Sequence, residues 1–376
     1  MRQVITILVA LVAIALLIAL LFMRHEETLA PLPKNNVSTT TFAVTVVAEN
    51  LEVPWDIAFL PNGTMLVTER TGHVIEISPE GEEREIVVGG VRQGGLPAQA
   101  GEGGLLGVVL HPNFALNRFV YLYMSTPGST GQTQNRIVRY RYEDGSLAED
   151  KIIIERIPGA VYHDGGRMEF GPDERLYITT GDATTAEIAQ DTQSLGGKIL
   201  RLEDDGAIPT DNPYGNAVYS YGHRNPQGLT WDSAGRLWES EHGRSGLLSG
   251  LDEINLIEAG ANYGWPTIEG DETQNGMRAP VIHSGVADTW APASLAFLNS
   301  SLFFGGLRGE ALYKAVLSGT EIVEIKEHFK GEFGRIRTVR VGPDDMLYLT
   351  TSNTDGRGDS MQGDDKILRI NPANLE

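Results

Sequence analysis

The sequence predicts an all-β protein: a six-bladed β-propeller of four-stranded antiparallel blades, preceded by one N-terminal apolar helix. The first observation is a phrase of two apolar strands joined by a short turn, which recurs at 57–70, 108–125, 168–182, 229–243, 295–309 and 339–353. The second is a further alternating strand that follows each copy, beginning at His73, Arg136, Lys198, Glu253, Ala311 and Lys366. The third is their regular spacing of about 60 residues, which is typical of an array of equivalent blades.

The connections between these strands explain why the copies should stack. They contain Asn-Gly, Ala-Gly and Pro-Asp pairs, which accept the backbone angles of hairpin turns. A single sheet of this kind cannot bury both faces, and a radial arrangement leaves only short edges. We expect 42–59 to supply the first strands and the final strand, near Lys366, to close the ring against the early blade. Two β-sandwich domains are the alternative, but they do not explain why both phrases recur in one order.

The N-terminal region is separate from the repeats. Residues 4–23 are about twenty uninterrupted apolar residues, enough to span a bilayer as a helix. We therefore interpret 1–25 as a transmembrane anchor or signal segment, 26–41 as a linker and 42–376 as the propeller domain. No small-x-small cleavage site follows the apolar core, which favours an uncleaved anchor over a removed signal peptide. Either interpretation predicts export, with the propeller outside the cytoplasm.

Composition excludes several classes of function. The formal net charge is -20 and no basic run is present, which argues against nucleic acid or an anionic membrane surface as a partner. Cysteine is absent, so disulfides, thiol catalysis and thiolate metal sites are excluded. Function is then expected on the long Gly-rich loops between the strands, which can converge at one mouth of the central channel.

Two of these loops carry a candidate acid–base pair. His163 lies in YHDGGRMEFGPD, where neighbouring glycines allow backbone and ligand to approach closely. Asp182 ends the following strand pair and can return to the same face of the domain. A histidine held by a carboxylate is a general base whose tautomer is set by its partner. A histidine on a surface loop without function is the alternative.

Arginines on different blades form a second candidate group. They are Arg224 in GHRNPQG, Arg308 in GGLRG, and Arg335 with Arg337 in GRIRTV, the last two pointing to one face of a strand. Guanidinium groups that converge on a channel suit a small polyanion rich in carboxylates. Ion pairs with acids at blade edges are the alternative.

A third segment, 241–266, combines a turn-rich loop with Glu253 and a tight GANYGWP turn. Carboxylate and carbonyl oxygens in such a segment suit a hard cation such as calcium. An acidic rim exposed to solvent is the alternative.

Taken together, the phrases GEGGLLGVVLHPNF, HDGGRMEFGPDERLYITTGD, GHRNPQGL, DEINLIEAGANYGWP and GRIRTV resemble the soluble quinoprotein glucose dehydrogenase and aldose sugar dehydrogenase family. The resemblance covers roughly 53–370. It implies a six-bladed propeller that binds pyrroloquinoline quinone (PQQ) and calcium and oxidises the anomeric hydroxyl of aldoses to the lactone. It also implies an electron acceptor, which the sequence does not identify.

The resemblance implies roles for the candidate residues. His163 is similar to the base that takes the proton from the anomeric hydroxyl while hydride passes to the quinone, and Asp182 is similar to the acid that orients it. Arg224 and Asn225 match the pair that contacts quinone and substrate.

The remaining cofactor residues include two departures from the family. Arg335 and Arg337 match arginines bound to the quinone carboxylates, and Arg308 stands where the family often has lysine. Gly243 and Arg244 occupy positions whose main-chain oxygens hold the cofactor calcium, although the second is commonly proline.

Three further positions complete the implied site. Glu253 and Tyr263 resemble ligands of a separate structural calcium. Glu102 stands where the glucose dehydrogenases have a glutamine beside the quinone. A carboxylate there would repel an anionic cofactor unless it were protonated or shared with an arginine.

Two other functions compete with a PQQ-dependent dehydrogenase. A calcium-dependent propeller hydrolase, such as a lactonase, would use His163 and a metal-bound water but would not need four arginines. A non-catalytic binding propeller displayed on the cell surface would need neither the His–Asp pair nor the arginines.

Overall fold

The structure is a computed structural model that describes residues 44–89, 101–128, 131–246 and 249–375. The apolar segment 4–23 and the linker 26–41 lie outside the described residues. Within those ranges, no helix combines the length and apolar character that crossing a bilayer requires.

The first half of the described chain forms an eight-stranded sheet. Its strands are β2 (Pro54–Phe59), β3 (Met65–Glu69), β4 (Val74–Ile77), β5 (Glu83–Val88), β6 (Leu105–Leu110), β7 (Phe119–Pro127), β8 (Thr133–Glu143) and β9 (Ser146–Pro158). A short helix, α1 (Phe114–Asn117), lies between β6 and β7. The order β2-β3-β4-β5-β9-β8-β7-β6 contains two antiparallel sets of four strands, joined by a short parallel contact between β5 and β9.

The second half forms four-stranded antiparallel sheets. One sheet consists of β10 (Met168–Phe170), β11 (Leu176–Thr180), β12 (Lys198–Leu202) and β13 (Val218–Tyr221). A second consists of β14 (Pro226–Trp231), β15 (Leu237–Glu241), β16 (Glu253–Ile257) and β17 (Ile282–His283). The next is β18 (Ala296–Leu298), β19 (Ser301–Gly306), β20 (Ala311–Ser318) with β21 (Glu321–His328). In the described part of the chain, a 3-10 helix at Ala186–Gln190 lies between β11 and β12, and another at Pro372–Asn374 follows β24.

The last sheet joins the two ends of the described chain. It consists of β22 (Ile336–Val341), β23 (Leu347–Thr351), β24 (Ile367–Ile370) and the first strand, β1 (Val44–Ala48), in the order β1-β24-β23-β22. Val44 faces Ile370 in the antiparallel register. As expected, the first strands, β1 and β2, lie within 42–59, and the final strand β24 closes the ring by pairing with β1.

Contacts between the sheets follow chain order and close on themselves. The first strand of each four-stranded set packs against the next, from β2 to β6, β10, β14, β18 and β22, and β22 packs against β2. This closed ring of antiparallel sheets confirms the all-β prediction and is consistent with a β-propeller. Inner strands are buried on both faces, as in β11 and β12, whereas the outer strand β21 is largely accessible.

Arg167 lies at the centre of the ring. Its guanidinium donates to the carbonyl oxygens of Gln227 (3.1 Å) and Ala293 (2.9 Å) and is ion-paired with Asp56. It also lies 4.5 Å from the ring centroid of Trp55. Because these partners come from different sheets, one buried cation connects several sheets where their inner strands meet.

Candidate active site

His163 and Asp182 form the pair that the sequence predicted. Nδ1 of His163 lies 2.7 Å from Oδ1 of Asp182, and the imidazole lines a cavity of about 530 Å³. The carboxylate can only accept, so Nδ1 carries the proton and the lone pair of Nε2 is available as a base. Asp182 also accepts from the main-chain N–H of Thr184 (2.8 Å) and from Nε1–H of Trp265 (2.8 Å).

The loop that carries His163 is held in an unusual backbone conformation. His163 has a φ of 65°, in the left-handed region that non-glycine residues seldom adopt. A Cβ at Gly181 would lie 2.0 Å from the carbonyl oxygen of His163, so the two loops approach as closely as they do only with glycine there. The main chain therefore fixes the base beside its carboxylate.

Glu102 is held beside this base by two donors. Its Oε2 accepts the main-chain N–H of His163 (3.0 Å), and its Oε1 accepts from Nη1 of Arg357 (2.9 Å). Burial opposes ionisation, but the charges of His242 and Arg357 and the His163 N–H lower the pKa of Glu102 to about 2. Because burial lowers the pKa of His242 itself to about 4, Arg357 and the peptide are the partners that act near pH 7. Of the two alternatives expected for Glu102, the carboxylate is shared with an arginine rather than protonated.

The cavity is strongly cationic although the chain is acidic. It is lined by five arginines and two carboxylates: Arg224, Arg244, Arg308, Arg335, Arg357, Glu102 and Asp252. The formal charge of the whole chain is -20. Such a concentration of one sign against the charge of the chain indicates a site for an anion.

Two of these arginines have no carboxylate partner among the described residues. The Arg224 guanidinium donates only to the His242 carbonyl oxygen (3.3 Å) and the Ser245 hydroxyl (3.0 Å). The Arg308 side chain is exposed and, within the described ranges, makes no hydrogen bond or ion pair. These two groups are free to bind a ligand anion without first breaking an ion pair.

The other two predicted arginines are already paired. Nη2 of Arg335 donates to Oδ2 of Asp355 (2.9 Å), and Nη2 of Arg337 lies 3.8 Å from the same oxygen. Arg335 lines the cavity, whereas Arg337 does not and lies 5.7 Å from the ring of Trp55. Burial lowers the pKa of Arg337 to about 9.

Asn225 and Trp265 lie behind the cavity surface. Oδ1 of Asn225 accepts from the main-chain N–H of Gly165 (3.2 Å), which supports the glycines that follow His163. The indole of Trp265 lies 5.3 Å from the Arg224 guanidinium while its N–H binds Asp182. One side chain thus contacts both the acid and the arginine of the predicted site.

Gly243 and Arg244 lie on one side of the cavity and are fixed by neighbouring groups. Buried Asp252 accepts from the Gly243 N–H (2.9 Å) and from the main-chain N–H groups of Trp290 (2.7 Å) and Ala291 (2.9 Å). Nε of Arg244 donates to Glu269 (2.5 Å). The main chain at 243–244 is therefore anchored between two sheets.

A second, smaller cavity contains the predicted structural metal residues. It has a volume of about 20 Å³ and is lined by Glu241, Glu253, Tyr263 and Glu269, with Arg224, His242 and Gly243 shared with the large cavity. The Tyr263 hydroxyl already donates to the Leu256 carbonyl oxygen (2.6 Å), so the phenol is not a free ligand. The volume suits one ion or one water molecule.

Among the described residues, neither Glu241 nor Glu253 at this small cavity forms an ion pair with an arginine or a lysine. Glu241 and Glu253 face each other across β15 and β16, and the Nδ2 of Asn255 donates to both (3.2 and 3.4 Å) and to Glu239 (3.1 Å). His223, Glu239 and Glu241 also bring ligand atoms within 4.8 Å of one another. Burial, followed by the charge of Glu241, raises the pKa of Glu253 to about 8. A bound cation would relieve this repulsion.

Several site residues were not identified from the sequence. They are Arg357, Trp265, Asp252, His242 and Glu241, of which all but Arg357 lie in the segment 241–266 that the sequence indicated as a cation site. His242 lines the large cavity, and its buried Nε2 has no hydrogen-bond partner among the described residues.

The family model for glucose/sorbosone dehydrogenase matches residues 51–368 of this chain. The aldose sugar dehydrogenase of Escherichia coli is 32% identical over 367 residues, which cover 89% of this chain and 94% of that protein. Quinoprotein glucose dehydrogenase B of Acinetobacter calcoaceticus is 32% identical over 280 residues, covering 66% and 57% of the two chains. Among solved structures, the PQQ-bound aldose sugar dehydrogenase of Streptomyces coelicolor is 41% identical, with a TM-score of 0.80 over 87% of this chain and 97% of that one.

Proposed function

Because the chain belongs to the glucose/sorbosone dehydrogenase family, we propose that it oxidises the anomeric hydroxyl of aldose sugars to the lactone, with PQQ and calcium as cofactors. The C1–H bond would release a hydride to the cofactor, and the O–H bond would release a proton to the protein, so that the ring carbon becomes the carbonyl carbon of the lactone.

One observation carries this proposal: five guanidinium groups converge on a cavity with two carboxylates, and two of them have no carboxylate partner among the described residues. A neutral sugar does not require this charge, but an anionic cofactor does. A lactonase does not require this charge, and a non-catalytic binding protein does not require the His163–Asp182 pair at the same cavity. The two features together favour the dehydrogenase over both alternatives.

His163 supplies the base in this proposal. Its Nε2 would accept the hydroxyl proton, and Asp182, 2.7 Å from Nδ1, would stabilise the imidazolium that forms. Arg224 would orient the sugar oxygen and the cofactor, supported by the indole of Trp265. Positioning of the base before the substrate arrives lowers the entropic cost of the step.

The donor sets fit the two cofactors. Arg224, Arg308 and Arg335 line the cavity and would bind the cofactor carboxylates, with Asn225 and Arg337 behind them. When bound, PQQ supplies a quinone that accepts two electrons. Main-chain oxygens of Gly243 and Arg244 would hold its calcium, and Glu241 with Glu253 offers carboxylate oxygens for a structural calcium at the small cavity.

The proposal extends to architecture and location. The six four-stranded sets in the closed ring support a count of six blades. The apolar segment 4–23 supports export, with attachment to a membrane and the propeller outside the cytoplasm. Electrons would then pass to an acceptor in that compartment.

A reconstitution experiment tests the proposal. Purified protein, stripped with a chelator, is mixed with PQQ and calcium, and reduction of an artificial electron acceptor is followed with a panel of aldoses. We expect activity only when sugar, PQQ and calcium are all present. Hydrolysis of a sugar lactone, without dye reduction for any aldose, would instead favour the hydrolase.

A further inference from the structure

Tyr162, next to His163 in the chain, presents an aromatic ring at the mouth of the large cavity. The side chain lines that cavity and is 45% exposed. A single half-exposed tyrosine is common on protein surfaces, but this ring is accessible from within the cavity and is therefore available to a ligand.

Arg357 braces this ring from one side. Its guanidinium carbon lies 5.2 Å from the ring centroid, in the range of a cation–π contact. The same guanidinium donates to Glu102 at 2.9 Å, and its main-chain N–H donates to Asp355 at 2.9 Å. The arginine is therefore fixed at both ends.

The brace also connects the ring to the base. Glu102, which binds Arg357 through Oε1, accepts the His163 N–H through Oε2 at 3.0 Å. Tyr162 and His163 are neighbours in the main chain. They are also connected through the Arg357 guanidinium, which contacts the Tyr162 ring, and the Glu102 carboxylate, which accepts the His163 N–H. This closed arrangement fixes the distance between the aromatic surface and the base before any ligand binds.

The chemistry of this surface suits a saccharide. One ring face is covered by Arg357, which leaves apolar aromatic surface for the C–H face of a pyranose, while guanidinium N–H groups at its edge can donate to sugar hydroxyls. The ring lies at the mouth, outside the base. The Tyr162 ring would therefore contact the part of the substrate that is distant from C1, the carbon that is oxidised.

We propose that Tyr162 and Arg357 form a binding platform for a second sugar ring, so that the site favours aldoses extended at their non-reducing side, such as disaccharides, over monosaccharides. The platform rests on the proposed oxidation of aldoses at His163. It is a specificity determinant and takes no part in the chemical step.

The test compares glucose with cellobiose and maltose in the PQQ- and calcium-loaded protein. In Tyr162→Ala, kcat/KM for the disaccharides should fall about three- to tenfold more than kcat/KM for glucose, mostly through KM, because a stacked ring contributes about that much. Tyr162→Phe, which retains the ring, should keep the wild-type preference. Arg357→Gln, which removes the brace, should lose part of it.

Binding without turnover gives the second readout. Methyl β-cellobioside and methyl β-glucoside lack a free anomeric hydroxyl, and their affinities for the loaded protein can be compared by calorimetry. The cellobioside should bind more tightly, and Tyr162→Ala should remove the difference. Equal affinities in the wild type, or equal losses of kcat/KM for all sugars in Tyr162→Ala, would overturn the platform. Wild-type protein that oxidises no aldose would overturn the proposed function instead, whatever the glycosides show.

Discussion

Nε1 of Trp265 donates to Oδ2 of Asp182 at 2.8 Å, on the carboxylate oxygen that does not face His163. Trp265→Phe removes this N–H and keeps an aromatic ring beside Arg224. We expect kcat to fall about tenfold or more, because a hydrogen bond to a charged group is worth about 1.5–3 kcal/mol. Steady-state kinetics would measure the loss. A Trp265→Phe protein with wild-type kcat would show that Asp182 does not need this donor.

Substitution of the proposed base separates catalysis from binding. His163→Ala should lower kcat by about 10²- to 10⁴-fold, which is the usual contribution of general base catalysis. PQQ binding, followed by absorbance titration, should remain largely intact because the cavity arginines are unchanged. If the cofactor no longer bound, His163 would be part of the cradle rather than the base.

Arg308 tests the anion cradle. Arg308→Ala should raise the PQQ concentration needed for half-maximal reconstitution by about ten- to a hundredfold, since a charge-assisted hydrogen bond is lost. Arg308→Lys should recover much of this affinity. Arg278→Ala is the matched control, because this exposed arginine pairs with Glu258 away from both cavities and should behave as wild type.

Asp164, the neighbour of His163, predicts a pH dependence of stability. Burial raises its pKa to about 6, while hydrogen bonds from Asn135 and Ala160 act against this. The folded protein favours protonated Asp164 over the ionised form. The contribution of this group to the free energy of unfolding is therefore complete below pH 4 and is lost as pH rises through 6. The loss is at most about 3 kcal/mol, from about two pKa units.

The measurement is chemical denaturation of wild type and Asp164→Asn between pH 4 and 8. The difference in free energy of unfolding between the two proteins should change across this range in the direction given. A constant difference would mean that Asp164 does not titrate between pH 4 and 8.

The small cavity predicts calcium-dependent stability. Calcium at about 100 times its Kd should raise the Tm of the chelator-treated protein by about 5 °C or more. Glu253→Gln and Glu241→Gln should each weaken this response, whereas Glu272→Gln, whose residue does not line the cavity, should retain it. An unchanged response in both cavity variants would place the stabilising ion elsewhere.

The recurrence of short strands rich in β-branched and aromatic residues between turns was enough to predict the strands, because these residues favour strands even where both faces are buried, as in β11. The turns followed from their residues too, although the left-handed residue after Pro172 and Asp173 is Glu174, with a φ of 61°. The pairing of the two ends of the chain was expected from the need to close the ring. Its register, in which Val44 faces Ile370, was not, because no local signal carries it.

The site shows the same limit. His163 and the arginines could be selected by residue type and by resemblance, but Arg357 could not, because its partner Glu102 lies on a loop far away in the sequence. Trp265 lay inside the GANYGWP turn that the sequence analysis had marked for a metal. Its indole N–H instead binds Asp182, which only the folded arrangement of the two loops reveals.

The pairing of β1 with β24 has a consequence for biosynthesis. A ribosome that still holds Ile367–Ile370 in its exit tunnel has released almost every strand, yet the first one has no edge to bind. The ring can therefore close only after β24 has left the tunnel, and until then β1 lacks the strand that pairs with it.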